Sequence, residues 1–219
     1  PIEKKPLYHF LPGSLSMSVG TAGCNMTCMH CQNWELSNSD PENIPCSRLD
    51  TDTLVSRSKE QECRSIAYTY NEPGINYEYV LEASKKAKDE GLKNVLVTNG
   101  YLEIEPGKQL YPYIDAANVD LKGFNDTFYR KICGAKLQPV LDTLKLLKEM
   151  EVWIEVTTLV IPGYNNSDDE IENMCKWIVE NLGKDYPLHF SAFYPAHKLQ
   201  DAPPTPIDTL ERARDIAEK

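Results

Sequence analysis

The sequence predicts an α/β fold: a partial (β/α)6 barrel of parallel strands with helices outside. Short β-branched runs alternate strictly with longer segments of helical spacing, six times along 219 residues. The strands are rich in Val, Ile and aromatic residues, which suits burial on both faces of a parallel sheet. Six units are also fewer than the eight that close a full barrel. An open doubly wound sheet is the alternative architecture, and no second domain, repeat or low-complexity segment is evident, so residues 1–219 are expected to form one domain.

The elements follow in order. Leu15, Met17 and Val19 alternate up to Gly20, a strand that feeds a cysteine-bearing loop. Residues 32–50 carry Pro41 and Pro45 among Asn, Ser and Asp, the composition of a loop. A helix over about 52–62 and a strand at Ser65–Tyr70 come next. Tyr79, Ala83 and Ala87 share a face of a helix over 77–90, with Gly91 placed to end it. A third strand, Asn94–Val97, runs into Thr98-Asn99-Gly100, and a short helix or loop leads to the strand Asn118–Leu121. Leu137, Val140, Leu141, Leu144 and Leu147 mark a helix before the strand Val152–Ile161. Ser167 and Glu170 form a capping box for a helix whose core face is Ile171, Met174, Cys175, Ile178 and Leu182. His189–Tyr194 and Thr209–Glu218 complete the sixth unit.

Composition narrows the function classes. The net charge is −10 and the lysines are scattered, a poor footprint for gripping phosphate backbones, so nucleic acid is an unlikely partner. No stretch approaches the roughly 18 apolar residues of a membrane span. Residues 1–6 are charged and lack the apolar core of a signal peptide, so a cytoplasmic location is expected. The chain starts at Pro1 and is read as trimmed at one or both ends. Seven cysteines is an odd number, and Cys46, Cys63, Cys133 and Cys175 stand alone, which is not a disulfide framework. Cys133, in an Ile-Cys-Gly turn, is read as a packing residue.

Cys24, Cys28 and Cys31 lie at C-x3-C-x2-C spacing in the loop after the first strand. Such a loop can wrap three corners of a cubic iron–sulfur cluster with thiolates, leaving the fourth iron open to a small molecule. Three other readings exist. A structural zinc needs four closed ligands, and His30 beside Cys31 is a poor fourth. Cys28-x-x-Cys31 matches a thiol–disulfide motif, but that chemistry uses a helix N-terminus, and a proline-bearing loop follows here. Coincidental core cysteines fit badly with the flanking glycines.

The cysteine motif resembles the signature of the radical S-adenosylmethionine (SAM) superfamily. The chain is most similar to glycyl-radical-enzyme activating enzymes, and more narrowly resembles the radical enzyme of the AmmeMemoRadiSam system. The narrower resemblance rests on Tyr8-His9-Phe10-Leu11-Pro12-Gly13-Ser14, Cys31-Gln32-Asn33-Trp34-Glu35 and Tyr68-Thr69-Tyr70-Asn71-Glu72-Pro73.

The resemblance implies a [4Fe–4S] cluster on Cys24, Cys28 and Cys31, and S-adenosylmethionine as second cofactor. Reductive cleavage would yield a 5′-deoxyadenosyl radical that takes hydrogen from a substrate. His30, at the signature's aromatic position, would pack on the adenine. Asn71 and Glu72 stand where relatives receive the cofactor's amino group, although Tyr70 and Asn71 replace the two glycines usual there. Thr98 and Asn99 match a cofactor-side segment, and Val97 replaces an Asp associated with a monovalent cation, which leaves the binding of such a cation open. Asp120 suits the ribose hydroxyls and Lys122 the carboxylate; strand alternation puts both on one face, where a structural ion pair is the other reading. The resemblance implies a protein or peptide substrate, modified as activating enzymes modify theirs, with a small-molecule hydrogen donor as the alternative and a flavodoxin or ferredoxin as electron donor. An iron–sulfur electron-transfer or zinc-binding protein without SAM turnover is the alternative.

Overall fold

The computed structural model describes residues 1–39, 41–45 and 47–219. Asp40 and Cys46, inside the stretch expected to be loop, fall outside these. Six parallel strands form one sheet: β1 Ser16–Val19, β2 Ser65–Tyr68, β3 Lys93–Thr98, β4 Ala116–Asp120, β5 Trp153–Val160 and β6 Leu188–Ala192. Their spatial order is their chain order. A doubly wound sheet reverses direction at a switch point; this one never does, so the open alternative is excluded and the partial barrel stands.

The helices are α1 Trp34–Ser37, α2 Thr51–Glu60, α3 Tyr77–Asp89, α4 Ile104–Leu110, α5 Asp126–Phe128, α6 Leu137–Glu149, α7 Asp168–Asn181 and α8 Ile207–Ala217. Right-handed crossovers between neighbouring parallel strands put all connecting helices on one face. That face buries Ile66, Tyr68, Leu96, Ala117, Val119, Ile154 and Val156 against the helices. The short α1 interrupts the expected 32–50 loop. Cys175 is only partly buried, unlike Ile171, Met174 and Ile178 of the same helix.

The expected capping box is half formed. Ser167 Oγ accepts from the Glu170 N–H at 3.3 Å, but the Glu170 carboxylate accepts from the Phe124 N–H at 2.8 Å instead of returning to the cap. The loop after β4 supplies a donor that would otherwise go unpaired, and it wins the carboxylate.

The other, concave face of the sheet is closed by residues 1–14, for which the sequence predicted no structural role. Ile2 and Leu7 are fully buried against Ala67, Val95 and Ala116, with Phe10 beside them. Each such side chain contributes roughly 1.5–3 kcal/mol. Asn118 Nδ2 donates to the Pro6 carbonyl at 3.0 Å. The segment is pinned further by Glu155 of β5, whose carboxylate accepts the backbone N–H groups of Tyr8, His9 and Phe10 at 3.0, 2.9 and 3.2 Å.

Candidate active site

The C-terminal ends of the strands surround a cavity of about 350 Å³. Active sites gather at this end of parallel barrels, because the βα loops are free to vary there. The cysteine loop forms one wall. It leaves β1 at Gly20, where a Cβ would collide with the Tyr70 carbonyl; the Thr21 N–H then donates to that carbonyl at 2.7 Å. Farther along, the Thr27 and Met29 N–H groups donate to the Cys133 and Ile132 carbonyls at 3.0 and 2.8 Å. Gly134, at φ +67°, allows this approach: a Cβ there would run into the Thr27 hydroxyl. Met26 is buried in the core and anchors the loop between its first two cysteines.

Cys24, Cys28 and Cys31 all line the cavity. Among the described residues, His, Cys, Asp and Glu groups with ligand atoms all within 4.8 Å of one another occur twice, and neither group is this triad. One tetrahedral ion would draw its thiolates to about 3.8 Å of each other, closer than at least one pair of these sulfurs stands. Burial pushes the Cys24 thiol up, against a 3.4 Å bond from the Met26 N–H. Cys28 is held down at about 7, chiefly by a hydrogen bond from Cys133, with the Lys122 charge assisting against burial. That favours thiolate, the ligating form, at Cys28.

Of the remaining residues singled out from sequence, His30, Asn71, Thr98, Asn99, Asp120 and Lys122 also line the cavity. His30 is buried, and its ring stacks on Phe128 at 6.2 Å and 26°. Burial, and secondly the Lys122 charge, lower its pKa to about 3, so the ring is neutral. Asn99 Nδ2 reaches both Asn25 Oδ1 at 2.8 Å and Cys24 Sγ at 3.6 Å, tying the end of β3 to the cysteine loop. Lys122 Nζ and Asp120 Oδ2 form an ion pair of 2.9 Å. Burial works against the Lys122 charge, but Asp120 and then the Cys28 and Cys133 sulfurs outweigh it and raise the pKa.

Glu72 does not face the cavity. It is buried behind the wall, accepting the Thr98 hydroxyl at 2.8 Å, the Asn99 N–H at 2.7 Å and the Gly74 N–H at 3.0 Å. Burial raises its pKa, opposed by these bonds. Both oxygens are occupied, so its geometry is that of a strut beneath Thr98 and Asn99.

Three polar groups in the wall have atoms without partners, Asn118 Oδ1 among them. The Asn71 amide is unpaired at both Oδ1 and Nδ2, and His30 is unpaired at Nδ1. Buried polar atoms without partners are costly, and these lie in the cavity that the three thiols face. A ligand with donors, acceptors and an aromatic portion would satisfy them, so the residues present fit a nucleoside-bearing cofactor beside a thiolate-held cluster.

The cavity also includes residues absent from the sequence-derived set: Lys4, Pro6, Asn118, Thr157, Leu159 and Ser191. Asn118 lies two positions before Asp120 in β4 and shares its face, a parity signal available in the sequence. Cys133 was read as packing; it is fully buried, but its sulfur lies within 4.8 Å of both Cys28 Sγ and a His30 ring nitrogen. No local pattern ties residue 133 to residue 28.

A family model for the radical SAM superfamily matches residues 18–178. The chain belongs to the radical SAM superfamily. Its members use a [4Fe–4S] cluster and S-adenosylmethionine. It is 46% identical over 217 residues to the uncharacterized protein MJ0808 of Methanocaldococcus jannaschii, covering 99% of this chain and 64% of that protein. It therefore spans less than two thirds of that relative's length. It is 25% identical over 215 residues to the pyruvate formate-lyase 1-activating enzyme of Escherichia coli, covering 90% of this chain and 86% of the enzyme. In fold it is similar to Streptococcus suis SuiB, in a crystal structure bound to S-adenosylmethionine. The TM-score is 0.72 at 14% identity, over 99% of this chain and 49% of SuiB. No helix among the described residues is long and apolar enough to cross a membrane.

Proposed function

We propose that Cys24, Cys28 and Cys31 hold the cluster, that the cavity binds S-adenosylmethionine, and that the enzyme takes hydrogen from a protein or peptide substrate, a backbone glycine being the first candidate. The observation that carries this reading is the convergence of three thiols, the unpaired Asn71 amide and the unpaired His30 nitrogen on one cavity at the strand ends. The bound cofactors supply a one-electron reductive cleavage of a sulfonium and the hydrogen-atom abstraction that follows.

This chain's residues do the rest. Asn71 offers both a donor and an acceptor to the polar methionyl groups. Asp120 suits a ribose diol, and Lys122 a carboxylate. The neutral His30 ring, backed by Phe128, offers an apolar surface to a base while adding no positive charge beside a sulfonium. Glu72 positions Thr98 and Asn99 from behind, and Asn99 in turn steadies Cys24.

The substrate class comes from likeness to activating enzymes, an analogy rather than a feature of the site. The narrower likeness to the AmmeMemoRadiSam radical enzyme rests on the same sequence motifs as before. A cytoplasmic setting with a flavodoxin or ferredoxin as donor belongs to this reading; all six cysteines described are free thiols.

Anaerobic reconstitution followed by reduction tests the proposal. Four irons per chain and 5′-deoxyadenosine on adding S-adenosylmethionine are expected, and both should vanish in Cys28→Ala. Stoichiometric zinc without cleavage would overturn it. Candidate substrates labelled with deuterium at glycine should pass the label into 5′-deoxyadenosine.

A further inference from the structure

A second cluster of metal-ligating side chains lies on the concave face, around Glu155, His9 and His189, and has no part in the chemistry above. We propose that these three residues form a binding site for one divalent transition-metal ion, zinc by preference, that locks the N-terminal segment onto β5 and β6.

Three features carry the assignment. The first is convergence. Glu155 Oε2 stands 2.7 Å from His189 Nε2 and 3.3 Å from His9 Nδ1, and all three ligand atoms lie within 4.8 Å of one another. An ion about 2.0 Å from each donor turns those two separations into angles of roughly 85° and 111°; the second is tetrahedral, and the first becomes so when the His189 pair widens by about 0.6 Å. The second is charge. The Glu155 side chain is wholly buried, and its partners are three backbone N–H groups, Trp153 Nε1 and the two imidazoles. None is Lys or Arg. Buried charges are paired or coordinate metals; with no Lys or Arg fixed on this carboxylate, a divalent ion on Oε2 meets no competing Lys or Arg.

The third is the outer shell. Oε1 accepts from the His9 and Phe10 N–H groups and from Trp153 Nε1, while the Tyr8 N–H binds Oε2. The carboxylate is thereby fixed in orientation, as ligating carboxylates generally are. The Tyr8 ring meets His189 edge-on at 5.0 Å, holding that imidazole in turn. His9 is 57% exposed at its side chain, so an ion can enter from solvent and complete its shell with water. The site gives chemical work to Tyr8-His9-Phe10, a motif the cavity leaves unused.

The test uses the anaerobically reconstituted holoenzyme, washed with chelator and titrated with zinc chloride. One zinc per chain is expected beyond the iron content. Its K-edge absorption should show only nitrogen and oxygen neighbours at about 2.0 Å, without the sulfur at about 2.3 Å that binding at the cysteines would give. His9→Ala, which removes an exposed ring and keeps the backbone N–H, should weaken zinc binding by more than the roughly 10- to 100-fold typical of losing an outer-shell partner, with the iron content unchanged. Absence of added zinc, a sulfur shell, or unchanged affinity in His9→Ala would each overturn the assignment.

Discussion

Replacing Glu155 with Gln keeps the shape of the side chain and removes its charge. In the folded protein burial pushes the Glu155 pKa up, yet bonds from His189, Tyr8, His9 and Trp153 prevail and bring it down to about 2 from an ordinary 4.5. At about 1.4 kcal/mol per pH unit, that difference is roughly 3 kcal/mol of stability. A depressed carboxylate stabilises above its unfolded pKa and stops doing so as pH falls through its folded pKa. The contribution is therefore complete at pH 7 and lost between about 4.5 and 2. The hydrogen-bond count agrees in size. A Gln amide nitrogen at the Oε2 position confronts the Tyr8 N–H, and a buried donor left unpaired costs about 1–3 kcal/mol; the surviving bonds also lose their charge assistance.

Thermal unfolding in chelator, which removes any metal contribution, should place Glu155→Gln roughly 6–12 °C below wild type at pH 7, since each kcal/mol moves Tm by about 2–4 °C at this size. The gap should narrow as pH falls, because protonated Glu155 comes to resemble Gln. Hydrogen exchange should speed up first in residues 1–14, which the carboxylate pins. A Tm within 2 °C of wild type at pH 7, taking ~1 kcal/mol as the threshold, or a gap that persists undiminished at the lowest pH, would refute the reasoning.

Three further outcomes are expected. Gly134→Ala puts a side chain at φ +67°, costing about 1–2 kcal/mol, and drives a methyl against the Thr27 hydroxyl; iron uptake on reconstitution should fall while far-ultraviolet circular dichroism stays native. Glu72→Gln turns an amide nitrogen toward a donor at Thr98 or Asn99, and should destabilise by about 1–3 kcal/mol and weaken S-adenosylmethionine binding in equilibrium dialysis, with iron content retained. Cys133→Ser should keep four irons per chain by iron assay, because the three loop cysteines suffice; loss of iron would place Cys133 among the ligands.

What the sequence determined by itself is the part governed by short range. Alternation of β-branched and helical runs specified six βα units, since side-chain periodicity is a property of neighbouring residues. The spacing of Cys24, Cys28 and Cys31 puts three thiols in one loop, because covalent proximity limits how far apart they can lie. Asp120 and Lys122 could be placed on a common face by parity, and the structure pairs them at 2.9 Å. Only the tertiary structure decided which way Glu72 turns, because its oxygens are claimed by Thr98 and Asn99, 26 and 27 residues away. It likewise drew Glu170 from its cap to Phe124, 46 residues away, and set Cys133 against Cys28 across 105. It also folded residues 1–14 over the sheet onto a carboxylate 147 positions from Tyr8. A buried polar group takes whichever partner the packed chain brings within reach, and no local pattern records that choice.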